Sequence, residues 1–109
     1  MPQISKILGQ PNPAPSTPTT LYTVPASNSA VISTITVSNL SANAASFRIA
    51  CRPAGATLAN THYISYDTPL SPNDTIGLTL GITLGNTDVV TVSANTGNVN
   101  FSVFGTETY

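Results

Sequence analysis

The sequence of this 109-residue chain contains very little charge. It has three Lys and Arg residues and four Asp and Glu residues, with a formal net charge of -1. About a quarter of an ordinary soluble domain is charged, whereas charged residues make up 6% of this chain. The three basic residues are Lys6, Arg48 and Arg52, too few for the basic patch that nucleic-acid binding requires. We therefore expect no nucleic-acid partner.

Residues that perform catalysis or hold metals are equally scarce, since His62 and Cys51 are the single members of their types. A zinc site needs three or four His, Cys or carboxylate ligands, and Asp67, Asp74 and Asp88 do not have the spacing of an EF-hand loop. We expect these aspartates to cap turns. Asp67 lies five residues after His62, which places the two on opposite faces of a strand. The chain is therefore predicted to have no enzymatic activity, no cofactor and no metal.

A single cysteine also excludes an internal disulfide. The alternation around Cys51 places it on the same face as Phe47 and Ile49, so we expect a buried, unreactive thiol. No run approaches the ~18 apolar residues of a membrane span, and residues 1–9 (MPQISKILG) lack the apolar core of a signal peptide. We expect no membrane partner.

In place of charge, the chain has 12 Ser, 17 Thr and 10 Asn residues. A surface of hydroxyls and amides with a net charge near zero gives little repulsion between copies and promotes association. This composition is typical of a subunit of a larger protein assembly.

Residues 1–20 differ from the rest of the chain because five prolines interrupt them: Pro2, Pro11, Pro13, Pro15 and Pro18. Proline favours polyproline II over helix or strand, so we predict an extended N-terminal arm over 1–20. Its tip carries the apolar residues Ile4, Ile7 and Leu8. The tip is either a frayed terminus or a segment that docks on a neighbouring subunit.

Residues 21–109 alternate between apolar and polar positions with a period of two, as in half-buried strands. Runs at 31–37, 47–52, 62–67, 75–80, 90–93 and 98–104 follow this pattern, with Ile64 and Tyr66 expected to point inward in the third. Segments rich in Pro, Gly, Asn and Ser separate them. Seven or so short strands without a helical period predict an all-β antiparallel sandwich, Ig-like or jelly-roll in topology.

Several side chains are candidates for contact with other subunits. Tyr63, Ser65 and Asp67 are predicted to share a face, which resembles a sugar platform but is also compatible with ordinary packing. Tyr22 adds an aromatic residue of the kind that interfaces favour. Arg48 and Arg52 share the outward face of their strand and could pair with a neighbour's carboxylate. A pair with Asp67 or Glu107 of the same chain is the alternative.

Residues 20–27 (TLYTVPAS) and 29–39 (SAVISTITVSN) resemble the opening of small virion proteins of tailed bacteriophages. The runs FRIA at 47–50, YISYDTPL at 63–70, NDT at 73–75, GITL at 81–84 and DVVTV at 88–92 are also similar to that group. The resemblance covers about residues 20–105 and excludes the Pro-rich segment.

This resemblance implies a structural protein of the phage particle, without catalytic residues. We expect a capsid cement or decoration protein on the outside of the head, made in the host cytoplasm. Its partners would be the major capsid protein and copies of itself, as a homotrimer. The alternative is a tail, baseplate or fibre component, or a glycan-binding module that contacts the host. The expected interface residues are Ile4, Ile7, Leu8, Tyr22, Arg48, Arg52 and Tyr63.

Overall fold

The computed structural model describes residues 3–79 and 81–109, and this part of the chain is built from β-strands. The strands are β1 (Gln3–Gly9), β2 (Thr19–Thr23), β3 (Ser29–Asn39), β4 (Ala45–Arg52), β5 (Tyr63–Leu70), β6 (Thr75–Leu78), β7 (Ile82–Leu84), β8 (Val89–Ala94) and β9 (Val99–Thr108). Two single-turn 3₁₀ helices, Pro53–Gly55 and Asn60–His62, lie between β4 and β5. The predicted all-β antiparallel sandwich is confirmed.

The strands form two antiparallel sheets. The five-stranded sheet has the order β1-β9-β3-β6, with β7 also paired to β3, and the four-stranded sheet has the order β2-β8-β4-β5. Strands β6 and β7 pair with successive parts of β3, so together they occupy one position. The chain then has eight strand positions, which pair as in a rolled-up hairpin. Strand β1 pairs with β9, β2 with β8, β3 with β6 and β7, and β4 with β5. Of the two expected topologies, this is the jelly roll.

The core lies between the sheets and comes from alternate residues of the central strands. Strands β3 and β9 contribute Ile32, Ile35, Val37, Val99, Phe101 and Val103, and strands β4 and β8 contribute Phe47, Ile49, Val90 and Val92. The rings of Phe47 and Phe101 meet across the two sheets in an edge-to-face contact, with centroids 6.1 Å apart. The period of two in the sequence therefore corresponds to one buried face on each sheet.

The N-terminal segment differs from the predicted arm. Gln3–Gly9 pairs with β9 as the first strand of the roll, because the prolines of this segment lie outside residues 3–10 and leave its backbone free to form a ladder. The following residues are attached to the domain. Pro13 is buried, Asn12 donates hydrogen bonds to the carbonyls of Gly97 and Val99, and the amide of Ser16 donates to the carbonyl of Ala94.

Strand β2 also begins at Thr19, before the expected domain boundary at residue 20. Within the described residues, no helix has the length and apolar character needed to cross a membrane.

Candidate functional site

The outer surface of the five-stranded sheet carries no charged side chain among the described residues. Alternation along each strand turns one set of residues away from the core, and the strand register places them side by side. We call this surface the uncharged face. Its residues are Gln3, Ser5, Ile7, Ser29, Val31, Thr34, Thr36, Ser38, Thr75, Gly77, Thr83, Asn100, Ser102, Phe104, Thr106 and Thr108.

Hydroxyl groups on the uncharged face bond to one another across strands. The hydroxyls of Ser5 and Thr106 lie 2.9 Å apart, and the hydroxyl of Thr75 donates to that of Ser38 at 3.1 Å. Because these groups are partly satisfied within the sheet, covering them with another protein costs less than covering unpaired hydroxyls.

Apolar side chains interrupt the uncharged face. Ile7 lies directly opposite Phe104 in the β1–β9 ladder, and Val31 lies opposite Thr106 in the β3–β9 ladder. Ile7 is 54% exposed and Val31 is 46% exposed. The expected apolar tip is therefore divided: Ile7 belongs to the uncharged face, exposed Ile4 lies on the other side of β1, and half-buried Leu8 packs against the core.

Tyr22 is not available as a surface contact. It is buried, and its hydroxyl donates a hydrogen bond to the Glu107 carboxylate. Glu107 is also buried and forms an ion pair with Lys6, whose Nζ lies 2.9 Å from Oε1. The hydrogen bonds from Tyr22 and Lys6 lower the pKa of Glu107 despite its burial, and burial together with Glu107 raises the pKa of Tyr22. We therefore remove Tyr22 from the interface candidates.

A second cluster lies on the outer surface of the four-stranded sheet, at a bulge in β5. Phe47 pairs with Thr68 and Ile49 pairs with Ser65, so Arg48 on β4 lies opposite two residues, Tyr66 and Asp67. Asp67 has a φ of 49°, in the left-handed region that Asp tolerates better than most residues. Bulges of this kind redirect side chains.

Arg48 is held between the two residues of the bulge. Its Nε and Nη2 donate to the two carboxylate oxygens of Asp67 at 2.7 and 3.2 Å, and its guanidinium lies 4.1 Å from the ring centre of Tyr66. The hydrogen bond from Arg48 lowers the pKa of Asp67, and Asp67 in turn raises the pKa of Arg48. The structure thus shows the intramolecular pair that was one of the two alternatives for Arg48.

Tyr63 joins this cluster through Tyr66. The two rings meet edge to face with centroids 4.9 Å apart. The expected grouping of Tyr63, Ser65 and Asp67 is only partly right, because Ser65 directs its hydroxyl to that of Thr68. The inward orientation expected for Ile64 and Tyr66 is wrong, since both are exposed. Two register shifts in the β4–β5 pairing break the alternation on which these expectations depended.

A cleft of about 160 Å³ opens beside this cluster. Arg48, Tyr63 and Asp67 line it together with polar residues of neighbouring segments: Ser16, Ser46, Ser93 and Asn95. These four residues were not among the expected site residues, because they come from the N-terminal segment, β4, β8 and the residue that follows β8. No local pattern indicates that they meet.

Arg52 and His62 have structural hydrogen-bond partners, and Cys51 is partly buried. Arg52 donates from Nε to the hydroxyl of Thr91 and from Nη1 to the carbonyl of Ala56. Nδ1 of His62 accepts a hydrogen bond from the amide of Ala59. Cys51 is half-buried, and burial raises the pKa of its thiol, with a smaller contribution from Asp88.

Two of the three aspartates expected at turns are found there. Asp88 accepts hydrogen bonds from the amides of Ala54 and Gly85, and Asp74 accepts one from the amide of Thr75. Asp67 instead pairs with Arg48. No group of three or more potential metal ligands occurs among the described residues.

Neither the family models, nor the curated proteins, nor the solved structures gave a match to this chain.

Proposed function

We propose that this chain is a structural subunit that packs against other subunits through the uncharged face, as a capsid cement or decoration protein of a tailed-phage virion. The observation that carries the packing role is the absence of charged side chains across the described part of the five-stranded sheet's outer surface. A face without charge has no ionic groups to desolvate when a partner covers it.

Two further observations support the virion setting. Residues 20–105 resemble small virion proteins in sequence, and the jelly roll recurs in viral capsid proteins. The jelly roll supports this setting by analogy, because one fold hosts many functions. The alternatives within the same setting are a tail, baseplate or fibre component.

The mechanism would be stabilisation by binding. A subunit that binds the assembled shell but not its loosened form stabilises the shell by RT ln(1 + [L]/Kd) at each site. The partners would be the major capsid protein and further copies of this chain. A homotrimer is the closed assembly that suits local threefold positions of a capsid lattice.

The test is to place a charge at the centre of the uncharged face. Thr36, which lies opposite Ser102 in the β3–β9 ladder, would be changed to Arg. Thr20→Arg is the matched control, because Thr20 is an exposed strand residue of the other sheet. We expect Thr36→Arg to reduce self-association in analytical ultracentrifugation and incorporation into particles, and Thr20→Arg to leave both unchanged. Equal behaviour of the two folded variants would refute the packing role.

Copy number separates a decoration protein from a tail component. Gel densitometry of purified particles should find hundreds of copies if the chain decorates the head. A handful of copies would favour the tail, baseplate or fibre. Complete absence from particles would exclude a virion role.

A further inference from the structure

We propose that the cleft beside Arg48 and Asp67 binds one unit of a neutral saccharide. This cleft lies on the outer surface of the four-stranded sheet, on the opposite side of the sandwich from the uncharged face. The inference goes beyond the packing role, and either can fail without the other.

The charge of the cleft favours a neutral ligand. Arg48 and Asp67 are the charged residues among those that line it. Their opposite charges are joined by two hydrogen bonds and neutralise each other. An anionic ligand would have to compete with Asp67 for the guanidinium, and a cationic ligand would have to compete with Arg48 for the carboxylate. A ligand without charge leaves this pair intact.

The cleft offers hydroxyl and amide groups for hydrogen bonding. The hydroxyl-bearing residues Ser16, Ser46 and Ser93 line it. Asn95 accepts a hydrogen bond from the amide of Ser46 through Oδ1, which leaves its Nδ2 free to donate. Groups that both donate and accept match the hydroxyls of a sugar ring.

Tyr63 supplies the apolar part of the site. A sugar ring presents C–H groups on its faces and hydroxyls at its edge, and a tyrosine ring combines an apolar body with a polar tip. The edge-to-face contact with Tyr66 supports the Tyr63 ring, and Tyr66 in turn lies against Arg48.

The arrangement is held in place before any ligand binds. The bidentate pair with Asp67 and the contact with Tyr66 fix the guanidinium of Arg48, which reduces the entropy lost on binding. The bulge in β5 holds Asp67 opposite Arg48, so the carboxylate is already in place for this pair.

The size of the cleft limits the ligand. A volume of about 160 Å³ is smaller than the range of ~300–1,000 Å³ that holds drug-sized molecules. It suits one sugar unit, such as the end of a longer glycan, with the remainder in solvent.

The test is direct binding of the intact chain to an array that contains neutral and acidic glycans. Hits would be measured by isothermal titration for wild type, Tyr63→Ala, Ser93→Val and the control Tyr109→Ala, an exposed tyrosine at the C-terminus. We expect binding to neutral glycans, weakened about tenfold by Tyr63→Ala. Ser93→Val should weaken binding and Tyr109→Ala should not.

Several results would overturn the proposal: no glycan bound by wild type, selection of acidic glycans only, or affinities that neither cleft variant changes. A protein captured by crosslinking at Tyr63, without glycan binding, would show that the cleft is a protein contact. Melting curves identify a variant that fails to fold. In that case the test is an NMR titration of the wild type with glycan, in which the backbone amide chemical shifts of Ser46, Ser93 and Asn95 should change.

Discussion

The hydroxyl of Tyr22 on β2 donates a hydrogen bond to the carboxylate of Glu107 on β9, and so joins the two sheets of the sandwich at one end. Lys6 of β1 binds the other oxygen of the same carboxylate. One buried charge therefore connects the first two strands, β1 and β2, with the last strand, β9. A buried carboxylate with two partners is costly to disrupt from either side.

We expect stability to fall in acid through Glu107. Its pKa is lowered in the folded chain, so its contribution is present above the unfolded value of about 4.3 and is lost as pH falls through the folded pKa. Glu107→Gln should flatten the dependence of urea unfolding on pH between about 5 and 3. Asp67→Asn is the control, because that carboxylate is exposed and its ion pair is screened by water. An equal slope for wild type and Glu107→Gln would contradict this assignment.

At high pH, Tyr22 should limit stability. Its pKa is raised by burial and by Glu107, so its contribution is complete below the unfolded value of about 10 and is lost as pH rises through the folded pKa. Tyr22→Phe should therefore unfold with a weaker dependence on pH above about 10. It should also be less stable at neutral pH, since Glu107 loses a hydrogen bond. If the free energy of unfolding changed with pH in the same way for both proteins, Tyr22 would not be the group that lowers stability at high pH.

Gly105 is expected to be required because the backbone of a neighbouring strand comes close to it, and not because of its strand propensity. A Cβ atom there would clash with the carbonyl oxygen of Val31 and crowd Leu8, so Gly105→Ala should destabilise the junction of β3, β9 and β1. Gly77 lies in β6 with open space around the position of its Cβ, and Gly77→Ala should be tolerated. Melting temperatures of the two variants provide the comparison. Similar values would mean that the sheet adjusts to the extra methyl group.

The two buried phenylalanines should couple energetically. Phe47→Ala and Phe101→Ala should each cost about 3–5 kcal/mol of unfolding free energy. Because their rings touch, the double variant should lose less than the sum of the single losses. Simple additivity in a chemical-denaturation cycle would contradict contact between the rings. If the alanine variants do not fold, leucine at each position gives the same cycle with smaller effects.

Strand β1 should open more easily than the rest of the roll. Five of its seven residues are exposed. Besides its backbone ladder it is held by the Lys6 ion pair, by the half-buried Leu8 and by exposed side-chain hydrogen bonds of Gln3 and Ser5. Amide hydrogen exchange should therefore be faster in β1 than in β3, a central strand that pairs with β9 on one edge and with β6 and β7 on the other. Lys6→Gln should speed exchange in β1 and leave β3 unchanged. Uniform exchange across both strands would show that β1 opens only with the whole domain.

The sequence predicted the class of fold because burial of one sheet face imposes a period of two on each strand. The run at 31–37 and the run at 98–104 both show this period, and both form central strands of the five-stranded sheet. The same reasoning failed at 63–70, because two register shifts change which residues face outward. It also missed β1, where prolines on either side suggested an arm.

By itself, the sequence determined that this chain is an all-β domain with an apolar core and almost no charged surface, since these properties follow from composition and local alternation. Only the tertiary structure decided that the strands roll into a jelly roll, that polar residues line one sheet face, and that Ser16, Ser93 and Asn95 meet beside Arg48. Those outcomes depend on strand pairing between distant segments and on bulges. Alternation within a strand is the same whichever partner it finds.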